Sequence, residues 1–163
     1  MKPDRKKLYQ AALTTPAGFL AFGFGAGLSP WAPGTVGTMV AIPIALLLQP
    51  HPILLQLGLI LLLFVLGIYV CAQTSRRLGV HDHGGIVWDE IVGYLLCATA
   101  APDTVTGLVL AFVLFRVFDI FKPWPIRSVE RKLTGGFGIM ADDIIAAAYT
   151  AAILLLLVRS GVI

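Results

Sequence analysis

The sequence predicts an all-α fold, a polytopic membrane helical bundle of about five transmembrane helices. An N-terminal interfacial or re-entrant segment (residues 1–33) precedes them, and residues 1–163 read as a single domain. Three observations carry this expectation. Hydrophobic residues make up 58% of the chain and charged residues 13%, where soluble domains hold about half and about a quarter. Mean hydropathy is +0.88. Between Lys7 and Arg76 there is no Lys, Arg, Asp or Glu at all.

Composition also excludes some classes. The pI is about 9.1, but the basic residues fall in short clusters between apolar runs. That pattern sets membrane topology; it offers nucleic acid no continuous basic face. The early apolar stretch is broken by glycines and lacks a small-residue cleavage site, so it does not read as a removable signal peptide. Cys71 and Cys97 lie inside apolar runs without metal-type spacing and read as ordinary buried residues.

The elements follow in order. Residues 1–15 carry Lys2, Arg5, Lys6 and Lys7 and suit an inner membrane surface. Residues 17–27 are apolar but glycine-rich, and too short for the ~20 residues of a span. A re-entrant loop and a short helix both fit them. Pro30, Pro33 and the glycines around them forbid a regular helix up to about Gly34. A first crossing is expected over residues 34–49, with a kink at Pro43, and a tight turn over 49–52. A second crossing over 53–74 ends at Arg76 and Arg77. A polar loop then holds His81, Asp82 and His83. The third crossing, 86–101, is short and opens with Asp89 and Glu90. Pro102 and Asp103 turn the chain into a fourth crossing, 104–121. Residues 122–138 are polar and basic, and the last crossing covers 139–158.

Threaded with the N-terminus inside, this order puts every Lys and Arg except Arg159 on the inner side. Such asymmetry fixes orientation. Acids obey no such rule, yet all but Asp103 also fall inside. Five stand at inner helix ends: Asp89, Glu90, Asp119, Asp142 and Asp143. Carboxylates converging from three helices repel one another unless a cation lies among them. Oxygen donors without a Cys or His cluster suit a hard divalent ion, Mg²⁺. Five acids allow one ion with outlying partners, or two ions. Asp89, Glu90, Asp142 and Asp143 are the first candidates to hold metal, and Asp119 is the next. Phosphate-binding parts stand at the same level. Arg116, Lys122 and Arg127 can neutralise phosphate oxygens. Gly135, Gly136 and the Thr35 turn can offer backbone N–H groups at helix starts.

Each feature has a plainer alternative. Paired acids at a helix start favour the helix dipole. Asp119 between Arg116 and Lys122 makes an i,i+3 ion-pair set. Basic residues over 122–132 serve topology and contact with anionic lipid. His81 and His83 read equally as ligands, general acids or an ordinary polar loop. Trp31, Trp88 and Trp124 fit an interfacial belt.

Four blocks of the chain, in order, resemble one known family. They are Leu28-Ser29-Pro30-Trp31-Ala32-Pro33-Gly34-Thr35; His81-Asp82-His83-Gly84 with Val87-Trp88-Asp89-Glu90; Phe115-Arg116 with Asp119 and Lys122-Pro123-Trp124-Pro125-Ile126; and Gly135-Gly136 through Asp143. Over residues 17–147 the chain is similar to phosphatidylglycerophosphatase A. Thr38 and Ala147 stand where Ser and Gly are expected; neither is an acid. The resemblance implies Mg²⁺-dependent hydrolysis of the terminal phosphate of phosphatidylglycerophosphate, giving phosphatidylglycerol and phosphate. It implies a bacterial inner-membrane enzyme of phospholipid synthesis whose site faces the cytoplasm. The competing reading is a small transporter or channel for a divalent cation or phosphate, since intramembrane acids also line ion pathways. That reading requires polar residues through the whole membrane depth, and the outer halves of these segments are almost wholly apolar. Oligomeric state is not written in the sequence.

Overall fold

The computed structural model describes residues 4–163, and Lys2, one of the inner-side cations, lies outside them. Among the described residues every regular element is helical. They are α1 (Arg5–Leu13), α2 (Pro16–Ala21), a 3₁₀ segment (Gly23–Leu28), α3 (Pro33–Leu48), α4 (Ile53–Leu78), α5 (Trp88–Ala98), α6 (Val105–Phe121), α7 (Ile126–Lys132) and α8 (Gly135–Arg159).

Helix boundaries follow local chemistry. Thr15 and Thr104 cap α2 and α6, each accepting the N–H three residues on, from Gly18 at 3.1 Å and Gly107 at 3.0 Å. Gly79 ends α4 in the left-handed region, φ 73°, and its N–H bonds back to Ser75 and Arg76. Residues 17–27 resolve into a short helix followed by a 3₁₀ turn. The 122–138 stretch contains a helix of its own, α7, and α8 begins at Gly135 rather than near 139.

Short α5 is the hub. It packs against α3, α4, α6 and α8, and Trp88, Ile91, Val92, Tyr94, Leu95 and Cys97 on it are all buried. Trp88 fastens it to α4 by donating its indole N–H to the Leu63 carbonyl at 3.1 Å. Helices α4 and α8 approach closely because residue 136 has no side chain; a Cβ there would overlap the Ile68 carbonyl oxygen.

The surrounding helices turn apolar side chains outward. Leu54 is 81% exposed, Leu47 74% and Leu156 65%. An apolar girdle of this extent has no place in water, and it marks a membrane protein. Two helices are long and apolar enough to cross a bilayer, α4 with 26 residues and α8 with 25. The other three expected crossings are shorter: α3 has 16 residues, α6 has 17 and α5 only 11. At 1.5 Å per residue α5 rises about 16 Å, about half the ~30 Å hydrocarbon thickness.

Candidate active site

Asp89 and Glu90 occupy the first turn of α5, where the positive end of the helix dipole favours them. Asp143 projects from α8 against the same point. One carboxylate oxygen from each of Asp89, Glu90 and Asp143 lies within 4.8 Å of the others. Asp89 and Asp143 are buried, and the Glu90 side chain is nearly so. Asp119, on α6, lies beside Asp143.

Asp142 takes a different direction. Consecutive residues on a helix point about 100° apart, so Asp142 and Asp143 face different neighbours. Asp142 Oδ2 lies 2.7 Å from Lys122 Nζ, and the same ammonium lies 2.7 Å from Glu130 Oε1. Burial pulls the Lys122 ammonium toward its neutral form, but the two carboxylates outweigh this and hold its pKa above the ordinary lysine range. Of the four acids expected to hold metal, the structure therefore groups three and ties the fourth to a lysine. Glu130, to which the sequence assigned no role, completes that pair.

Several polar atoms here are buried without a hydrogen-bond partner among the described residues: Asp89 Oδ1, Glu90 Oε2, Asp142 Oδ1 and Asp143 Oδ1 of the carboxylates, and Nε and Nη1 of Arg116. Buried polar atoms left so are costly. Arg116 Nη1 is 2.6 Å from Asp119 and 3.7 Å from Glu90, yet without the alignment of a hydrogen bond. Unsatisfied anionic oxygens thus stand beside unsatisfied cationic donors. A hard cation fits the first set and an oxyanion the second.

The remaining expected residues divide. Gly34, in the first turn of α3, comes so close that a Cβ there would overlap Glu90 Oε1; Thr35 follows it on the same turn. Gly135 commits its N–H to His81 Nε2 at 3.0 Å. Gly136 packs against α4. Arg127 is exposed and, among the described residues, reaches only the Phe121 carbonyl, at 3.4 Å. His83 Nδ1 accepts the Gly85 N–H at 3.0 Å.

A cleft of about 650 Å³ is lined by Arg5, Ser29, Pro33, Asp82 and His83 among others, and none of the clustered acids lines it. Asp82 is exposed by surface area, but the protein packed around its carboxyl, helped by the nearby Asp142 charge, pushes its pKa up to about 6, against the opposing pull of Lys122 and His81.

Fold and site together define a helical membrane protein with a carboxylate–guanidinium centre suited to phosphate chemistry at one end of its bundle. The chain belongs to the phosphatidylglycerophosphatase A family, whose sequence model matches residues 19–158. It is 46% identical over 143 residues to phosphatidylglycerophosphatase A of Escherichia coli (strain K12), covering 87% of this chain and 83% of the relative. The Haemophilus influenzae phosphatidylglycerophosphatase A is 45% identical over 148 residues, 90% of this chain and 91% of its own. A Bacteroides thetaiotaomicron protein, provisionally named a phosphatidylinositol-3-phosphatase, is 40% identical over 136 residues, 78% of this chain and 84% of its own. No solved structure matches the chain.

Proposed function

We propose that this protein hydrolyses the terminal phosphomonoester of phosphatidylglycerophosphate, releasing phosphatidylglycerol and inorganic phosphate. The observation that carries the reading is the set of orphaned carboxylate oxygens on Asp89, Glu90 and Asp143 beside the orphaned donors of Arg116, in a chain of this family.

The donor set, three carboxylates, suits Mg²⁺. Asp89, Glu90 and Asp143 would hold it. When bound, the ion stabilises charge on the phosphate and lowers the pKa of a coordinated water. The chain's own groups do the rest. Asp119 fixes Arg116 through the 2.6 Å ion pair at Nη1 and leaves Nε, which has no hydrogen-bond partner among the described residues, for a phosphate oxygen. The first turn of α3, at Gly34 and Thr35, points a helix start toward the same space. Lys122 holds Asp142 in place. In the net reaction a water oxygen bonds to phosphorus, the phosphorus–glycerol oxygen bond breaks, and a proton ends on the glycerol oxygen.

For topology we propose the five-segment threading with the acids on the cytoplasmic side of the bacterial inner membrane. Inner-side placement of nearly all Lys and Arg supports it. In that threading α5 is a recessed half-crossing, and its N-terminus brings Asp89 and Glu90 below the lipid surface. Buried polar groups thin out beyond the acids: Thr150 bonds its own helix, and Gln56 closes the turn at residues 49–51. That distribution gives no support to an ion pathway.

The test is phosphate release by purified protein in detergent, with Mg²⁺ or with EDTA, for wild type and Asp143→Asn. Wild type should be active only with Mg²⁺, and the variant should stay folded but inactive. Full activity in EDTA would sink the metal-site assignment; a folded, Mg²⁺-loaded wild type inert on this lipid would sink the substrate.

A further inference from the structure

We propose that the turn between α6 and α7 carries a second, non-catalytic site, a pocket for the headgroup of an anionic phospholipid. The pocket has a volume of about 360 Å³ and is lined by Phe121, Lys122, Trp124, Arg127, Ser128 and Arg131, with Pro123.

Its charge is unspent. Lys122 turns its ammonium toward Asp142 and Glu130 and is neutralised there. Arg127 and Arg131 make no ion pair among the described residues, and both are exposed. Two unpaired guanidinium groups beside a serine hydroxyl carry more positive charge than one phosphodiester neutralises, and suit a headgroup with a net negative charge.

The rim favours a lipid over a free ion. Trp124 is 81% exposed and Phe121 71%, aromatic placements characteristic of the membrane–water boundary. From Phe121 the apolar surface continues along α6 through Ile120 and Val117, both exposed, so acyl chains would meet apolar side chains. The wall is also held in place. Tyr149 on α8 donates its hydroxyl to the Trp124 carbonyl at 3.0 Å, its ring stacks on Phe118 at 5.4 Å, and Ile126 anchors the start of α7 in the core. The site accounts for Arg127, which the acid cluster does not use.

The test reads binding rather than activity, so it stands apart from the catalytic assignment. Full-length protein in a zwitterionic detergent with EDTA would be titrated with short-chain phosphatidylserine, which carries no phosphomonoester, or with phosphatidylcholine, and followed by thermal unfolding. A ligand that binds only the native state raises the unfolding temperature saturably. Phosphatidylserine should do so and phosphatidylcholine should not. Near a charged surface each arginine contributes ~1 kcal/mol, about fivefold in affinity. Arg127→Gln with Arg131→Gln should therefore weaken the response about 30-fold, while Arg159→Gln at the far end of α8 should leave it unchanged. Arg131→Gln alone, expected to weaken it about fivefold, serves if the double variant does not fold. An unaltered response in these variants, an equal response to phosphatidylcholine, or the same shift with inorganic phosphate at equal concentration would overturn the proposal.

Discussion

The first turn of α3 touches the Glu90 carboxylate only because residue 34 is glycine: a methyl group there would overlap Glu90 Oε1 and stand 3.1 Å from Arg116 Nη2. Gly34→Ala must therefore push either α3 or the Glu90–Arg116 pair out of place. Overpacking of this kind costs about 1–3 kcal/mol, which leaves the protein folded. A shift of about 1 Å in a catalytic constellation costs on the order of 10²-fold in rate. The expected outcome is a variant with a slightly lowered unfolding temperature and about 1% of wild-type phosphate release. Activity within threefold of wild type would show that this contact does not position the site.

Removing one charge from the acid trio should have opposite effects with and without metal. Without Mg²⁺, Asp89, Glu90 and Asp143 crowd their carboxylates within 4.8 Å, and like charges so placed repel. Asp143→Asn relieves this, so the metal-free variant should unfold at a higher temperature than metal-free wild type. Wild type should gain stability as Mg²⁺ is added, following mass action, and the variant should gain much less. A thermal titration with Mg²⁺ and EDTA checks both signs.

Lys122 and its two acids separate by magnitude. Asp142 is 7% exposed at its side chain and Glu130 40%. Lys122→Met leaves a buried carboxylate without its cation, a change that costs about 3–5 kcal/mol. Glu130→Gln removes a solvent-screened partner and should cost at most about 1 kcal/mol. Denaturation of the purified variants orders them, and a Glu130→Gln loss equal to that of Lys122→Met would mean that Glu130, not Asp142, is the ammonium's principal partner.

Asp82 gives a dependence on pH. Its folded pKa is pushed up to about 6 from an ordinary 3.8, first by the protein packed around a side chain that still reaches solvent and then by the Asp142 charge. The folded protein therefore holds this proton more tightly than the unfolded chain. That contribution is fully present below pH 3.8 and is lost as pH rises through about 6. Asn cannot ionise, so Asp82→Asn should gain on wild type as pH rises across this window and keep a constant advantage above it. Unfolding temperatures in EDTA between pH 4 and 8 test the sign. A gap that closes with rising pH would contradict it.

Much of this was legible in the sequence, for identifiable reasons. The runs that became α3, α4, α6 and α8 are long, apolar and bounded by prolines or charges, so they could be marked within a few residues. Counting basic residues brought Asp89, Glu90, Asp119, Asp142 and Asp143 to one end of the bundle, where the structure has them. What separates Asp143 from Asp142 is the rotation of α8, which packing against α4 through Gly136 fixes and no spacing reveals. The Lys122–Glu130 pair spans the α6–α7 turn, outside any helical register. Helix α7 itself has seven residues, is mostly polar and follows two prolines, so no apolar period announces it.

Gly136 offers the clearest separation between two readings of one motif. If the glycines before Asp142 serve by presenting backbone N–H groups to phosphate, Gly136→Ala keeps that N–H and should be tolerated. The structure points instead to packing, because a Cβ at 136 would overlap the Ile68 carbonyl of α4 and come within 3.0 Å of the Ala72 side chain. Backbone cannot yield as a side-chain tip can. Helix α8 would have to move away from α4, taking Asp142 and Asp143 with it. Gly136→Ala should therefore lower the unfolding temperature and the phosphate-release rate together. Gly135→Ala has open space at its Cβ and pays only the strain of φ 73°, about 1–2 kcal/mol. It should lose some stability but retain more activity than Gly136→Ala. If Gly136→Ala keeps wild-type stability and activity, the packing account fails and the anion-binding reading of the glycines is restored.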